Sequence, residues 1–380
     1  MTPPAAVRRF VEDRLEGYLA ELRGLVEHES PSGDKARLDA LAAAIAARWS
    51  GLGGEVERHP QGAAGDHLVG RFFADAPGRP ALVVGHFDTV WPVGTLERLP
   101  FRRDGGRLYG PGVYDMKTSL ILVAAVLEAF AALGLRPARP VALLFTSDEE
   151  VGSRTSRPLI EAEARASAHA LVLEPPLADG SLKTARKGVG RFTLTVDGKA
   201  AHAGVAPELG ANAIVELAHQ ILEVAALNDP ASGTSLNVGL IRGGTTPNVV
   251  PARASAEVDA RAVTIAGADA VELALKGLTA ATPGTRLTVE GGFNRPPMER
   301  SPAVADLFAK ARRAGEGLGL DLTEGSTGGG SDGNFTAAVG TPTLDGLGAH
   351  GGGAHADDEH VLIDSIPERA ALLAALLLEL

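Results

Sequence analysis

The chain has 380 residues, longer than a single hydrophobic core usually grows, so about two domains are expected. Apolar residues make up 45% and charged residues 22%, an ordinary balance for a soluble globular protein, and the net charge of −11 argues against a nucleic-acid or anionic-membrane partner. Cysteine is absent, which removes disulfides and thiolate chemistry, so any metal site must be built from His, Asp and Glu.

Residues 1–30 read as an amphipathic helix without the apolar core of a signal peptide. No run approaches about 18 uninterrupted apolar residues, so no membrane span is expected and a cytoplasmic protein is the default. Helical periodicity over 5–28 stops at the breaker cluster Ser30-Pro31-Ser32-Gly33. A second helix over 36–49 ends at Gly51 and Gly53-Gly54. Short strands follow at 54–58, 67–73 and 81–84, then a long buried helix over 116–133 closed by Gly134. A strand at 141–146, a helix at 157–166 and a strand at 170–173 continue the alternation, which indicates an α/β sheet with helices on its faces.

The texture changes near Arg186. Alternation over 191–196, a helix at 212–226, strands at 234–241 and 254–262, a helix at 267–281 and a strand at 286–290 give the ferredoxin-like order βαββαβ. Helices at 302–314 and 365–378 resume the first texture. The predicted organisation is a discontinuous α/β domain, residues 1–186 and 296–380, interrupted by an inserted α+β domain over 187–295.

The informative residues lie just beyond apolar strands. His86-Phe87-Asp88, Asp148-Glu149-Glu150 and Glu174 each follow one, and open α/β sheets place ligands outside the carboxyl ends of their strands. Positions i and i+2 of an extended segment share a face, so Asp88 is expected to reach the far nitrogen of His86 and fix its tautomer. Asp115, just before the long helix, reads either as an N-cap or as a carboxylate bridging two metals. Glu149 and Glu150, if buried side by side, need cations, which fits one ligand and one general base. His355 lies in a glycine-rich stretch read as a flexible approach loop, with His350 as the competing choice. His202 stands in the inserted domain, while His59, His67, His169, His219 and His360 have no supporting pattern and are taken as structural or surface residues.

With these motifs the chain resembles the M20 metallopeptidase family, on its glutamate carboxypeptidase branch. The likeness runs from about Leu25 to the C-terminal helix. It rests on Gly85-His86-Phe87-Asp88-Thr89-Val90, Tyr109-Gly110-Pro111-Gly112 with Asp115 and Lys117, 146–150, Glu174-Pro175 and His202-Ala203-Gly204. Pro247-Asn248-Val249-Val250-Pro251, Asp259-Ala260-Arg261, Gly328-Gly329-Gly330-Ser331-Asp332 and the His355 segment extend it. The resemblance implies a zinc-exopeptidase-like catalytic domain whose insertion serves as lid and dimerisation domain, so a homodimer through the insertion is expected. It implies two Zn2+, replaceable by Co2+ or Mn2+, with His86 and Glu174 on one ion, Glu150 and His355 on the other, and Asp115 bridging. Glu149 would be the general base and His202 an oxyanion donor supplied by a partner subunit, and Asp88, through His86, is counted with them among the catalytic residues. Arg261 and Arg295 match positions that hold a substrate carboxylate, while Asn248, Thr327 and Gly330 match positions lining the substrate site. Two departures stand out: Arg186-Lys187 replaces small polar residues, and Met116 replaces an acid after the bridging aspartate.

The implied substrate is a small peptide or N-acyl amino acid, and the implied reaction releases a C-terminal amino acid, glutamate or a similar residue. A deacylase of N-acetyl or N-succinyl amino acids is the alternative within the family. An aminopeptidase is disfavoured by Arg261 and Arg295, and a catalytically dead binding protein by the complete ligand set.

Overall fold

The computed structural model describes all residues, 1–380, and resolves them into two compact units. One comprises Met1–Thr184, Arg300–Thr327 and Ser331–Leu380; the other comprises Ala185–Glu299 and Gly328–Gly330.

The first unit is built on a six-stranded sheet in the order Glu55–His59, His67–Phe72, Val141–Thr146, Ala81–His86, His169–Val172, Thr343–Leu344. The last four are mutually parallel, and the first two add antiparallel at one edge. Parallel strands covered on both faces read as unbroken apolar runs, and every residue of Ala81–His86 and Val141–Thr146 is buried. Their alternate side chains divide between two cores. Ala81, Val83, Leu143 and Phe145 pack with the helices Lys35–Gly51, Thr118–Leu133 and Ser365–Glu379. Leu82, Val84, Ala142 and Leu144 face Ile160, Ala164 and Phe335 on the opposite side.

The segment Val113–Leu133 has the length and hydropathy to cross a bilayer, yet 78% of that apolar window is buried, as expected of a core helix. Its regular part begins at Thr118 rather than at 116, because Val113–Lys117 forms an irregular turn in which Asp115 (φ −116°, ψ 91°) and Met116 (φ −138°, ψ 40°) are non-helical. The expected helix over 5–28 is likewise two, Pro3–Glu12 and Leu15–Glu27, interrupted where Arg14 leaves helical angles and stacks its guanidinium 3.8 Å from the Phe10 ring centroid.

The second unit is a four-stranded antiparallel sheet ordered Ser235–Gly243, Arg253–Ala262, Gly188–Asp197, Arg286–Arg295. Phe192, Leu194, Val196, Ala254, Ala256 and Val258 form the face on which the helices Ala213–Ala226 and Ile265–Lys276 bury Leu217, Val224, Val271 and Leu275. Asn212 and Thr264 cap these helices through side-chain oxygens, at 3.0 Å from Ile214 N and Gly267 N respectively. The strand order is that of a ferredoxin-like fold.

Candidate metal centre

Sheet register brings the acidic motifs together. His86 ends its strand beside Thr146, so Glu149 and Glu150 emerge next to it; Val84 pairs with Val172 on the other side, so Glu174, two residues on, comes level with His86. A glycine must precede His86, since a Cβ at Gly85 would lie 2.6 Å from the Phe145 ring and 3.0 Å from Met116 Cε. Met116, the departure noted in the sequence, thus packs beneath the strand end, its Sδ 3.4 Å from His86 N.

Asp115 stands between the two histidines. Its Oδ1 lies 3.2 Å from His86 Nε2 and its Oδ2 lies 3.4 Å from His355 Nε2. Glu174 Oε1 is 3.5 Å from His86 Nε2, and Glu150 Oε2 is 3.2 Å from His355 Nε2. One ligand atom each from His86, Glu149 and Glu174 falls within 4.8 Å of the others, and the same holds for His86, Asp115 and Glu150. The N-cap alternative for Asp115 is set aside, because its carboxylate faces the two imidazoles and makes no helix-capping bond.

Electrostatics favours positive charge at this spot. Burial opposes protonation of His86, but hydrogen bonding to Asp115, Asp88 and Glu174 outweighs it and holds the imidazole pKa well above its ordinary value. Asp115 and Glu150 at His355 push that imidazole up to about 10, and burial keeps Glu150 above the usual carboxylate range. Glu150 Oε1 is buried without any hydrogen-bond partner. An orphaned buried carboxylate oxygen is costly unless a cation meets it. The donor set of imidazole nitrogens and carboxylate oxygens therefore fits a divalent metal pair.

The Asp88 carboxylate lies within reach of the far nitrogen of His86, Oδ1 at 3.4 Å from Nδ1, and the Asp88 backbone oxygen is closer still, at 3.0 Å. The same carboxylate also accepts the backbone N–H groups of Glu149 and Glu150, both at 3.2 Å, and the Ser32 hydroxyl at 2.7 Å. The His355 segment, expected as a flexible approach loop, is a closed hairpin. The pairing of Gly351–Gly352 with His360 and Val361 closes it, Gly353 takes φ +73° where a Cβ would meet Asp358 at 2.8 Å, and His355 itself sits at φ +62°. That conformation costs a non-glycine residue about 1–2 kcal/mol. His350 is excluded as the ligand: Arg369 Nη2 lies 2.6 Å from its Nε2, and burial and that guanidinium bring its pKa down to about 4.

Glu359 escaped the sequence reading. Its buried carboxylate accepts the Trp91 indole and the amides of Gly112, Tyr114 and Asp115 at 2.7–3.0 Å, and burial raises its pKa to about 7 despite these donors. An acid four residues beyond a histidine is too common a pattern to single out. Lys117 is also buried, its Nζ donating to the carbonyls of Leu25 and His28 at 2.9 Å; burial lowers its pKa to about 7.

The remaining predicted residues lie elsewhere in the fold. Thr327 ends a short strand of the first unit. In the second unit, His202 is exposed and its Nδ1 accepts Gly204 N–H at 3.1 Å, which leaves the proton on the outward Nε2. Asn248 is exposed and accepts Ala203 N–H through its backbone oxygen. Arg295 is buried beside Gly330, where a methyl group would come 2.7 Å from its Cδ. Arg261 is already paired: Asp259 takes its Nε and Nη2 at 2.7 and 2.8 Å, and Nη1 donates to Gly328 O at 3.2 Å.

Comparison with known proteins agrees with this architecture. The chain is 32% identical over 378 residues, 97% of its length and 90% of the relative's, to carboxypeptidase G2 of Pseudomonas sp. (strain RS-16). It is 30% identical over 309 residues, 76% of its length and 78% of the relative's, to a succinyl-diaminopimelate desuccinylase of Delftia acidovorans. The crystal structure of aminopeptidase PepT from Bacillus cereus shares the fold at a TM-score of 0.78 and 22% identity, covering 96% of this chain and 98% of that one. Residues 82–379 match the family model described as peptidase family M20/M25/M40, and they contain every candidate ligand at the sheet's carboxyl edge; the chain belongs to that family, on the branch of carboxypeptidase G2.

Proposed function

We propose that this chain is a two-zinc carboxypeptidase that hydrolyses the amide bond next to a free C-terminal carboxylate, releasing glutamate or a similar amino acid. The observation that carries the reading is the division of Asp115 between two histidines, each with its own glutamate. His86 and Glu174 would hold one ion and Glu150 and His355 the other, with cobalt or manganese as possible replacements for zinc. When bound, such a pair supplies Lewis acidity to the attacking water and the scissile carbonyl.

The protein's own groups do the rest. Glu149 takes a proton from the water as it attacks and delivers it to the departing amine, and Asp88 holds the backbone of Glu149 in place. His202, with its outward N–H, suits donation to the developing oxyanion. Arg295 and Arg261 would take the substrate's carboxylate, Arg261 sharing its charge with Asp259, while Asn248, Thr327 and Gly330 would line the substrate site. A homodimer through the inserted unit is supported by its unpaired edge strand Ser235–Gly243, which exposes Leu240 and Ile241, and by exposed Leu222 on the helix Ala213–Ala226.

The desuccinylase relative favours a second reading, hydrolysis of N-acyl amino acids. A hydrolysis screen of metal-loaded protein separates the two. Peptides and folate-type glutamates with varied C-terminal residues are compared with N-acetyl and N-succinyl amino acids. Turnover confined to the second group selects the alternative, and none on either rejects both.

A further inference from the structure

One carboxylate ties two of the ligand-bearing loops together. Glu359 Oε2 accepts Trp91 Nε1–H at 2.7 Å and Gly112 N–H at 2.9 Å, while Oε1 accepts Tyr114 N–H at 2.9 Å and Asp115 N–H at 3.0 Å. These donors are 244 to 268 residues away in sequence, so no local turn or cap accounts for the arrangement. At the same time the Glu359 backbone belongs to the other loop. Its N–H donates to Ala356 O at 2.9 Å, closing the turn that directly follows His355, and its carbonyl accepts Gly110 N–H at 3.3 Å. The next residue, His360, pairs with Tyr109 in the adjoining ladder.

We propose that Glu359 is a positioning residue for the metal pair: its side chain orders the irregular turn that presents Asp115, its backbone orders the loop that presents His355, and together they set the separation of those two ligands. The proposal rests on the reading of Asp115 and His355 as metal ligands. A regular helix would satisfy the amides of 112, 114 and 115 differently; in this turn a single carboxylate collects three of them. Glutamine at the position keeps the size but offers one acceptor oxygen and an NH2 group. Two of the four donors then face another donor, and the turn must shift.

The test is zinc competition against a chromogenic chelator on the full chain as wild type, Glu359→Gln and Trp91→Phe, with the Tm of each metal-free form measured in parallel. Partners behind metal ligands usually account for about 10–100-fold in metal affinity. Glu359→Gln is expected to lose affinity on that scale, most at the ion served by His355 and Glu150. Trp91→Phe, which removes one donor and leaves the carboxylate, is expected to lose less in the same direction. A merely structural glutamate would lower the metal-free Tm and leave both zinc affinities at the wild-type values, and that outcome overturns the proposal. If Glu359→Gln does not fold, Trp91→Phe decides: unchanged zinc affinity there overturns it. Wild-type protein that takes up no zinc removes the metal reading and this inference together, whereas normal wild-type loading with unaffected variants removes this inference alone.

Discussion

Replacing Glu149 by Gln tests the division of labour between the two adjacent glutamates. Glu149 lies close enough to His86 and Glu174 to be a third ligand of that ion, so base and ligand roles compete for the same side chain. The backbone of 149 is held by Asp88 Oδ1 at 3.2 Å, and an amide is nearly isosteric with a carboxylate, so the variant should fold with its side chain in the same place. Without a basic oxygen the proton of the attacking water has no acceptor there. General acid–base catalysis is worth about 10²–10⁴-fold. At about 1.36 kcal/mol per tenfold, the barrier should rise by about 2.7–5.4 kcal/mol. The assay is kcat on a C-terminal glutamate substrate alongside metal analysis of the same sample. Two equivalents of metal with kcat down by that factor support the base. Loss of one ion in step with activity would show Glu149 to be a ligand, and wild-type kcat would refute its participation.

Chelation should lower the Tm and re-added zinc should restore it, by about 2.7 kcal/mol of stability at free zinc 100-fold above Kd; an unchanged melting curve would mean that no ion is held. His169 is buried, and burial, with Arg139 and Lys310 adding, depresses its pKa to about 4. Because the unfolded imidazole titrates near 6.5, the unfolded state binds the extra proton first, so stability falls as pH drops from about 6.5 towards 4 and levels off below. The loss is of order 3 kcal/mol. His169→Asn should flatten that limb in urea titrations across pH; a slope like that of wild type would clear His169. Arg295→Lys should raise KM several-fold at unchanged metal content, since an ammonium cannot grip a carboxylate with two parallel bonds; unchanged KM and kcat would take Arg295 out of the site.

Much of this protein is legible along the chain because its parallel strands are buried on both faces. The apolar runs ending at His86, Thr146 and Val172 stand out, and so do the acids that follow them. Likewise the βαββαβ alternation marks the inserted unit. What the linear order leaves open is whatever depends on contacts across it. Whether Asp115 caps a helix or stands between two imidazoles is settled by a turn held from 244 residues away by Glu359. The choice between His350 and His355 follows from Arg369, which claims the first, and from a hairpin that aims the second at Glu150. Asp88 serves the amides of Glu149 and Glu150 because sheet register sets neighbouring strand ends side by side. Local propensity and periodicity are written residue by residue, so the elements and their acidic ends can be read directly; hydrogen bonds and ion pairs between distant segments exist only once the chain has closed, so the aim of each side chain cannot.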